Sequence, residues 1–161
     1  MNIVQINESQ LQEVKDVLHE TWLDTYSHIY PREAVDIITS TWHSLQNLSQ
    51  QAKDPRFYFA AAMRDGKITG VVTARLDDDQ STVLIHRLYV LPKFQGQGTG
   101  AAMLNAAVAH FPNVKRLTLE VESANEKARA FYVLGGFRVI GQSEEKVAGI
   151  KTTIIQMQKD L

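Results

Sequence analysis

Ile85-His86-Arg87-Leu88-Tyr89-Val90-Leu91, followed by Pro92-Lys93-Phe94-Gln95-Gly96-Gln97-Gly98-Thr99-Gly100, is the stretch on which the reading of this chain turns. β-Branched and aromatic residues run from Val83 to Leu91 and Pro92 closes them, which predicts a strand. Ala101, Leu104, Val108 and Phe111 then recur at spacings of three and four, which predicts a helix that Pro112 stops. Between strand and helix lie three glycines at alternate positions. Glycine takes positive φ freely and lets a ligand come close to the backbone. A helix entrance also presents unpaired N–H groups, which attract anions and phosphate above all. An exposed helix dipole contributes only ~0.3–1 kcal/mol, whereas a hydrogen bond to a charged group contributes ~1.5–3 kcal/mol. Directed amides would therefore dominate binding here.

The loop is not a P-loop, because no Lys followed by Ser or Thr ends it, and its G-x-G-x-G differs from the G-x-G-x-x-G of dinucleotide folds. Glu120 and Glu122 nevertheless lie about 20 residues on, where a ribose-binding acid would stand. A nucleotide-dependent oxidoreductase stays open on these residues alone.

Working outward, 161 residues predict one domain, residues 1–161, large enough to bury about two thirds of its unfolded surface. A net charge of −1 gives no electrostatic case for nucleic acid or an anionic membrane. The N-terminus lacks the succession of a signal peptide, and no apolar run approaches the ~20 residues that span a bilayer, so the expected location is cytoplasmic. The absence of cysteine excludes disulfides, thiolate metal sites and a Cys nucleophile. The histidines (His19, His28, His43, His86 and His110) show no ligand spacing, so no metal is expected and each reads as a surface or packing residue.

Met1 to Ile6 predicts a short outer strand. Ser9 with Gln12 reads as a capping box opening a helix striped by Leu11, Val14, Leu18 and Trp22. Pro31 suits the start of a second helix, striped by Val35, Ile38, Trp42, Leu45 and Leu48, and both stripes read as core. Tyr26 and Tyr30 frame the aromatic turn between the two helices. Arg56 to Met63 and Lys67 to Arg75 read as strands joined by an Asp65-Gly66 hairpin turn. Leu117, Leu119 and Val121 alternate with Thr118, Glu120 and Glu122, giving a strand with one carboxylate-bearing face. Ser123 and Asn125 offer caps to a short helix ending at Gly135-Gly136, and two strands from Phe137 and Ile150 finish the chain. The fold class is thus mixed α/β: a mostly antiparallel sheet with one parallel pair joined by the helical crossover, flanked by about four helices.

Gln95-x-x-Gly98-x-Gly100 resembles the acetyl-CoA signature Q/R-x-x-G-x-G/A of the GNAT superfamily of N-acetyltransferases. Asn125-x-x-Ala128-x-x-Phe131-Tyr132-x-x-x-Gly136-Phe137 resembles the second signature of that family, and the resemblance covers residues 57 to 158. It implies acetyl-CoA as co-substrate and a central parallel pair splayed by a bulge. It also implies that the amides of Gln95, Gly96, Gln97, Gly98, Thr99 and Gly100 hold the pyrophosphate, with the main chain of Leu88, Tyr89 and Val90 pairing with pantetheine. Asn125, Ala128 and Phe131 would adjoin the cofactor, and Tyr132 would stand beside the sulfur. Thr21-Trp-Leu-Asp-Thr-Tyr26 and Tyr30-Pro-x-Glu33 resemble the bacterial polyamine acetyltransferase branch. Leu119-Glu120-Val-x-Ser-x-Asn125 resembles the branch acetylating ribosomal-protein N-termini, where the matching Glu is general base, except that Ser123 and Asn125 are not adjacent. His86 stands where many relatives carry an acid, so the base is Glu120, His86 or a water between them.

The chemistry fits these roles. An alkyl ammonium has a pKa near ~10.4 and must lose a proton before it attacks. Glu120 or His86 would take that proton, a main-chain N–H at Leu88 or Tyr89 would stabilise the oxyanion, and Tyr132 would protonate the departing thiolate. Without cysteine, direct transfer in a ternary complex is expected over an acyl-enzyme. Tyr26 and Tyr30 would line the acceptor side through cation–π contact, with core packing as the rival reading. The expected partner is a small-molecule amine or peptide N-terminus, with a homodimer left open. A CoA-binding regulator without chemistry is the alternative function.

Overall fold

The computed structural model describes residues 1–161 and runs β1 (Asn2–Gln5), α1 (Leu11–Tyr26), α2 (Arg32–Trp42), α3 (Leu45–Lys53), β2 (Phe57–Arg64), β3 (Lys67–Leu76), β4 (Thr82–Val90), α4 (Thr99–His110), β5 (Arg116–Glu122), α5 (Glu126–Leu134), β6 (Arg138–Val147) and β7 (Ile150–Asp160). The strands form one seven-stranded sheet in the order β1-β2-β3-β4-β5-β7-β6. Only β4 and β5, linked through α4, run parallel; the other neighbours are antiparallel. The β2–β3 turn has φ of 51° at Asp65 and 75° at Gly66, the positive pair that a tight two-residue hairpin requires.

Register opens the sheet. β4 pairs with β5 only from Thr82 to Ile85, opposite Arg116 to Leu119. Beyond that point β4 stays with β3 and β5 stays with β7. Thr73 of β3 faces Arg87 while the next residue, Ala74, faces Ile85, so His86 is an extra residue in β4. Such a bulge bends its strand and increases the local twist, which leads β4 away from β5. It also changes which residues face the core. Val83 and Ile85 point towards α4 and α5, whereas beyond the bulge Leu88 and Val90 do so. His86 and Arg87 therefore both lie on the opposite face, the one covered by α1 to α3.

Each face of the sheet has its own core. Met103, Leu104 and Ala107 of α4 and Tyr132 of α5 cover Val72, Val83, Ile85, Leu117, Leu119 and Val121 on one side. Val14, Leu18 and Leu48 cover Phe59, Ala61 and Val71 on the other. Trp22, Tyr26, Tyr30, Val35 and Ile38 gather separately against Val147.

Two expectations need correction. The second apolar stripe belongs to two helices, because α2 ends at Trp42 and the Ser44 hydroxyl caps α3 by accepting from Asn47 N–H at 3.2 Å. Val35, Ile38 and Leu48 are buried as expected, but Trp42 and Leu45 at the break are 46% and 42% exposed. This division gives five α-helices in all. The capping box is formed by Asn7 and Gln10 in place of Ser9 and Gln12: Ser9 N–H donates to Asn7 Oδ1 at 3.0 Å and Asn7 N–H to Gln10 Oε1 at 3.1 Å. It caps a single 3-10 turn, Glu8–Gln10, that runs into α1.

Candidate active site

The loop after β4 leaves a run of amides free. Gln95 N–H bonds Pro92 O, and the first helical bond of α4 runs from Ala102 N–H to Gly98 O at 3.0 Å. Between them, no backbone carbonyl accepts from the N–H groups of Gly96 to Ala101. Gly96 and Gly98 have φ of 72° and 78°, and a Cβ at either would meet nothing within 4 Å. They satisfy both requirements of a backbone anion cradle, positive φ and open space above it. Gly100 differs, since a Cβ there would stand 3.3 Å from Phe131 Cζ; this glycine lets α4 pack against α5. The Gln95 side chain faces inward, donating to Val90 O at 2.8 Å and accepting from Lys127 Nζ. Gln97 turns outward to Arg64 and the Lys93 carbonyl.

The free edge of β4 follows from its pairing. Leu91 N–H donates to Thr69 O of the β3 segment at 2.9 Å, so in an antiparallel ladder Tyr89 and Arg87 also bond towards β3 while Val90 and Leu88 bond the other way. The Val90 carbonyl, held by Gln95, confirms the alternation. Of the two main-chain donors expected for an oxyanion, Leu88 N–H faces the opening between β4 and β5, and Tyr89 N–H is turned to β3. The expectation for Tyr89 as that donor is corrected accordingly; its side chain lies against Trp22 with ring centroids 6.4 Å apart.

These elements enclose a cleft of about 1080 Å³. Every residue nominated from the sequence lines it except Gln97. Tyr132 is buried edge-on against Phe131 and Phe137, with centroids 5.3 and 5.4 Å away. Burial, and then the nearby Tyr26, pushes its pKa well above the usual tyrosine range, so the hydroxyl keeps its proton. Asn125 caps α5 through Oδ1, which accepts from Ala128 N–H at 3.1 Å, and its Nδ2 donates to Tyr26 Oη at 3.5 Å. One N–H of that amide remains uncommitted.

Glu120 is exposed on the cleft wall, whereas Glu122, two residues along the same face, is buried. Glu122 accepts from Tyr30 Oη at 3.0 Å and from the Thr152 hydroxyl. Burial raises the Tyr30 pKa to about 12 against the lowering effect of Thr152. Tyr26 and Tyr30 are themselves buried among aromatic neighbours and also line the cleft. The His86 ring lies 5.5 Å from that of Phe57. Partial desolvation, then the positive charges of Arg87 and Arg75, pushes its pKa down to about 4, so it is neutral near pH 7 and a weak base.

Sequence reasoning missed Arg87, Trp42, His43, Asp24 and Glu145, which also line the cleft. An arginine inside a mostly apolar strand was a signal for the first of these. The others come from distant segments, and no local pattern marks them. No helix of the chain is long and apolar enough to cross a membrane.

Known proteins resemble the chain in sequence and in fold. The sequence matches the acetyltransferase (GNAT) family over residues 14–137. It is similar to an uncharacterized N-acetyltransferase of Mycobacterium tuberculosis, 31% identical over 100 residues, which are 61% of this chain and 64% of that protein. It is also similar to N-acetylaspartate synthetase of Homo sapiens, 32% identical over 99 residues, 59% of this chain and 32% of that protein. The matched part is thus less than two thirds of either relative's length. In fold the chain is similar to the PaiA N-acetyltransferase of Thermoplasma acidophilum in complex with coenzyme A, with a TM-score of 0.85, 21% identity and 99% and 98% of the two chains covered. The ribosomal-protein-S18-alanine N-acetyltransferase of Escherichia coli gives a TM-score of 0.75 at 19% identity, with 99% and 92% covered. With both signatures lying on one cleft and the family match spanning most of the sequence, the chain belongs to the acetyltransferase (GNAT) family.

Proposed function

We propose that this chain transfers an acetyl group from acetyl-CoA to a primary amine by direct attack in a ternary complex. The observation that carries this reading is the run of unclaimed amides from Gly96 to Ala101 at the same cleft as Glu120 and Tyr132. The coenzyme A in the PaiA structure supports the same class of occupant here. Acetyl-CoA supplies an electrophilic thioester carbonyl. The amides of Gly96 to Ala101 bind its pyrophosphate, and the free edge at Leu88 and Val90 aligns its pantetheine. Leu88 N–H stabilises the oxyanion that develops on the carbonyl. Glu120 takes the ammonium proton, directly or through water, and the Tyr132 hydroxyl serves the departing sulfur.

On the acceptor side, Asp24, Glu120, Glu122 and Glu145 line the cleft together with Trp22, Trp42 and Tyr26. Carboxylates and aromatic faces suit an alkyl ammonium.

Acetyl-CoA and NAD, each added separately at the same concentration, separate this function from an oxidoreductase. A ligand present at about 100 Kd contributes ~2.7 kcal/mol, raising the Tm of a chain this size by about 5–10 °C. Acetyl-CoA is expected to do this and NAD is not; the reverse pattern would refute the reading. A CoA-release assay across polyamines, amino acids, aminoglycosides and N-terminal peptides then distinguishes an enzyme from a regulator that binds without turnover.

Glu120→Gln tests the base. An amide cannot titrate, so the low-pH limb of the kcat/KM profile should disappear and the plateau fall by about 10²–10⁴. A limb that persists with its midpoint unmoved assigns the base elsewhere, and His86→Gln is then the variant to profile.

A further inference from the structure

Arg87 holds a charge that the fold does not answer. Its Nη1 donates to Gln51 Oε1 at 2.5 Å and its Nη2 to Trp42 O at 3.3 Å. Both acceptors are neutral, and none of the ion pairs in the molecule includes this guanidinium. A guanidinium has five N–H donors, so these two bonds leave three uncommitted. Burial lowers its pKa, yet arginine does not lose its proton in a protein. A partly dehydrated cation is costly unless an anion or a full set of hydrogen bonds compensates it. Here the compensation is incomplete on the side that lines the cleft.

The neighbouring groups leave that place open to an anion. His43 lines the same cleft, is 3% exposed, and its Nδ1 has no hydrogen-bond partner. Burial, and then the charges of Arg87 and His19, pushes its pKa down to about 3, so it offers a neutral ring. Because of the bulge, His86 and Arg87 lie on the same sheet face as Glu120 and Glu122 of β5. The two splayed strands thus present opposite character to one space: a guanidinium from β4 and carboxylates from β5.

From this juxtaposition we infer that Arg87 is an anion subsite of the acceptor pocket, and that the acceptor is an amine carrying a carboxylate, an amino acid or amino-acid-like molecule. The inference rests on the proposed acetyl transfer and narrows its acceptor. A polyamine would bring further positive charge to a cation that already lacks a counter-ion. A carboxylate meets the guanidinium in a forked, charge-assisted geometry, while the amine of the same molecule faces Glu120.

Matched pairs isolate the carboxylate: lysine against cadaverine, and ornithine against putrescine. In the CoA-release assay the carboxylated member should show a KM lower by about 10- to 100-fold, the range of one to two charge-assisted hydrogen bonds. Arg87→Gln should abolish that preference with kcat and CoA affinity little changed. Gln51→Ala loosens the same corner without removing the charge and should keep the preference. Diamines that equal or surpass their amino acids would overturn the inference, as would an Arg87→Gln variant whose KM rises equally for both members. If no amine releases CoA, acetyl transfer itself fails, and thermal stability of the CoA complex judges Arg87 separately. Stabilisation by lysine in the wild type but not in Arg87→Gln upholds the subsite, and equal or absent shifts with lysine and cadaverine dismiss it. Should Arg87→Gln not fold, the wild-type comparison of the pairs decides alone.

Discussion

Tyr132→Phe lowers kcat by about one to three decades while leaving CoA affinity within about twofold, the separation expected of a group that acts on the leaving sulfur and not on the bound cofactor. The substitution keeps the ring between Phe131 and Phe137 and removes only the hydroxyl. Its magnitude falls below the ~10⁴ upper range for general acids for a reason visible in the site. Burial raises the pKa of this hydroxyl, which makes full proton transfer to a thiolate less favourable and shifts the contribution towards hydrogen bonding. The sign with pH follows. A tyrosine whose pKa is raised stays protonated throughout the neutral range, so the loss should be uniform across the profile, without a new or missing limb. Stopped-time CoA release between pH 6 and pH 9, with titration calorimetry for CoA, checks both parts. A variant at wild-type rate with a good acceptor would remove Tyr132 from the mechanism.

Gly98→Val should weaken CoA binding by at least about 100-fold, equivalent to the loss of one or two hydrogen bonds to a charged group. The side chain would rise into space that nothing in the chain occupies, which is where a phosphate must approach the amides. The φ of 78° adds strain for a β-branched residue, roughly 1–2 kcal/mol, so the variant should be less stable yet folded. Gly66→Val is the matched control, with φ of 75° and equally open space in the β2–β3 turn. It should lose similar stability and keep CoA affinity. Calorimetry showing unchanged affinity in folded Gly98→Val would displace the pyrophosphate from this loop.

The cradle was legible because its requirements are local. Positive φ and a close ligand approach both favour glycine in any sequence context, and an adjoining helix supplies the amides. Alternation likewise placed Glu120 and Glu122 on one face of β5. It could not say that Tyr30 and Thr152 would bury the second carboxylate and leave the first exposed, since those partners come from segments far along the chain. The α2–α3 stripe misled for a related reason. Periodicity reports a continuous apolar pattern but not the interruption that Ser44 introduces, and Trp42 and Leu45 fall at that interruption. The resemblance implied a bulge in the central strand pair, but which residue of β4 is the extra one exists only relative to the count of residues opposite it in β3. Arg87 was missed for the same reason, since its orientation follows only from that register.

The bulge also makes the site depend on chain length in a way unlike its dependence on side chains. Deleting the single residue at position 86 would return β4 to unbroken alternation. Arg87 would still face Thr73 and Leu88 would still face Val72, so every side chain would keep its side of the sheet. What would go is the bend and added twist that lead β4 away from β5, and the cleft would close between walls of unchanged composition. Side chains at this kink can therefore vary to suit different acceptors, whereas the extra residue that parts the two strands cannot be dropped.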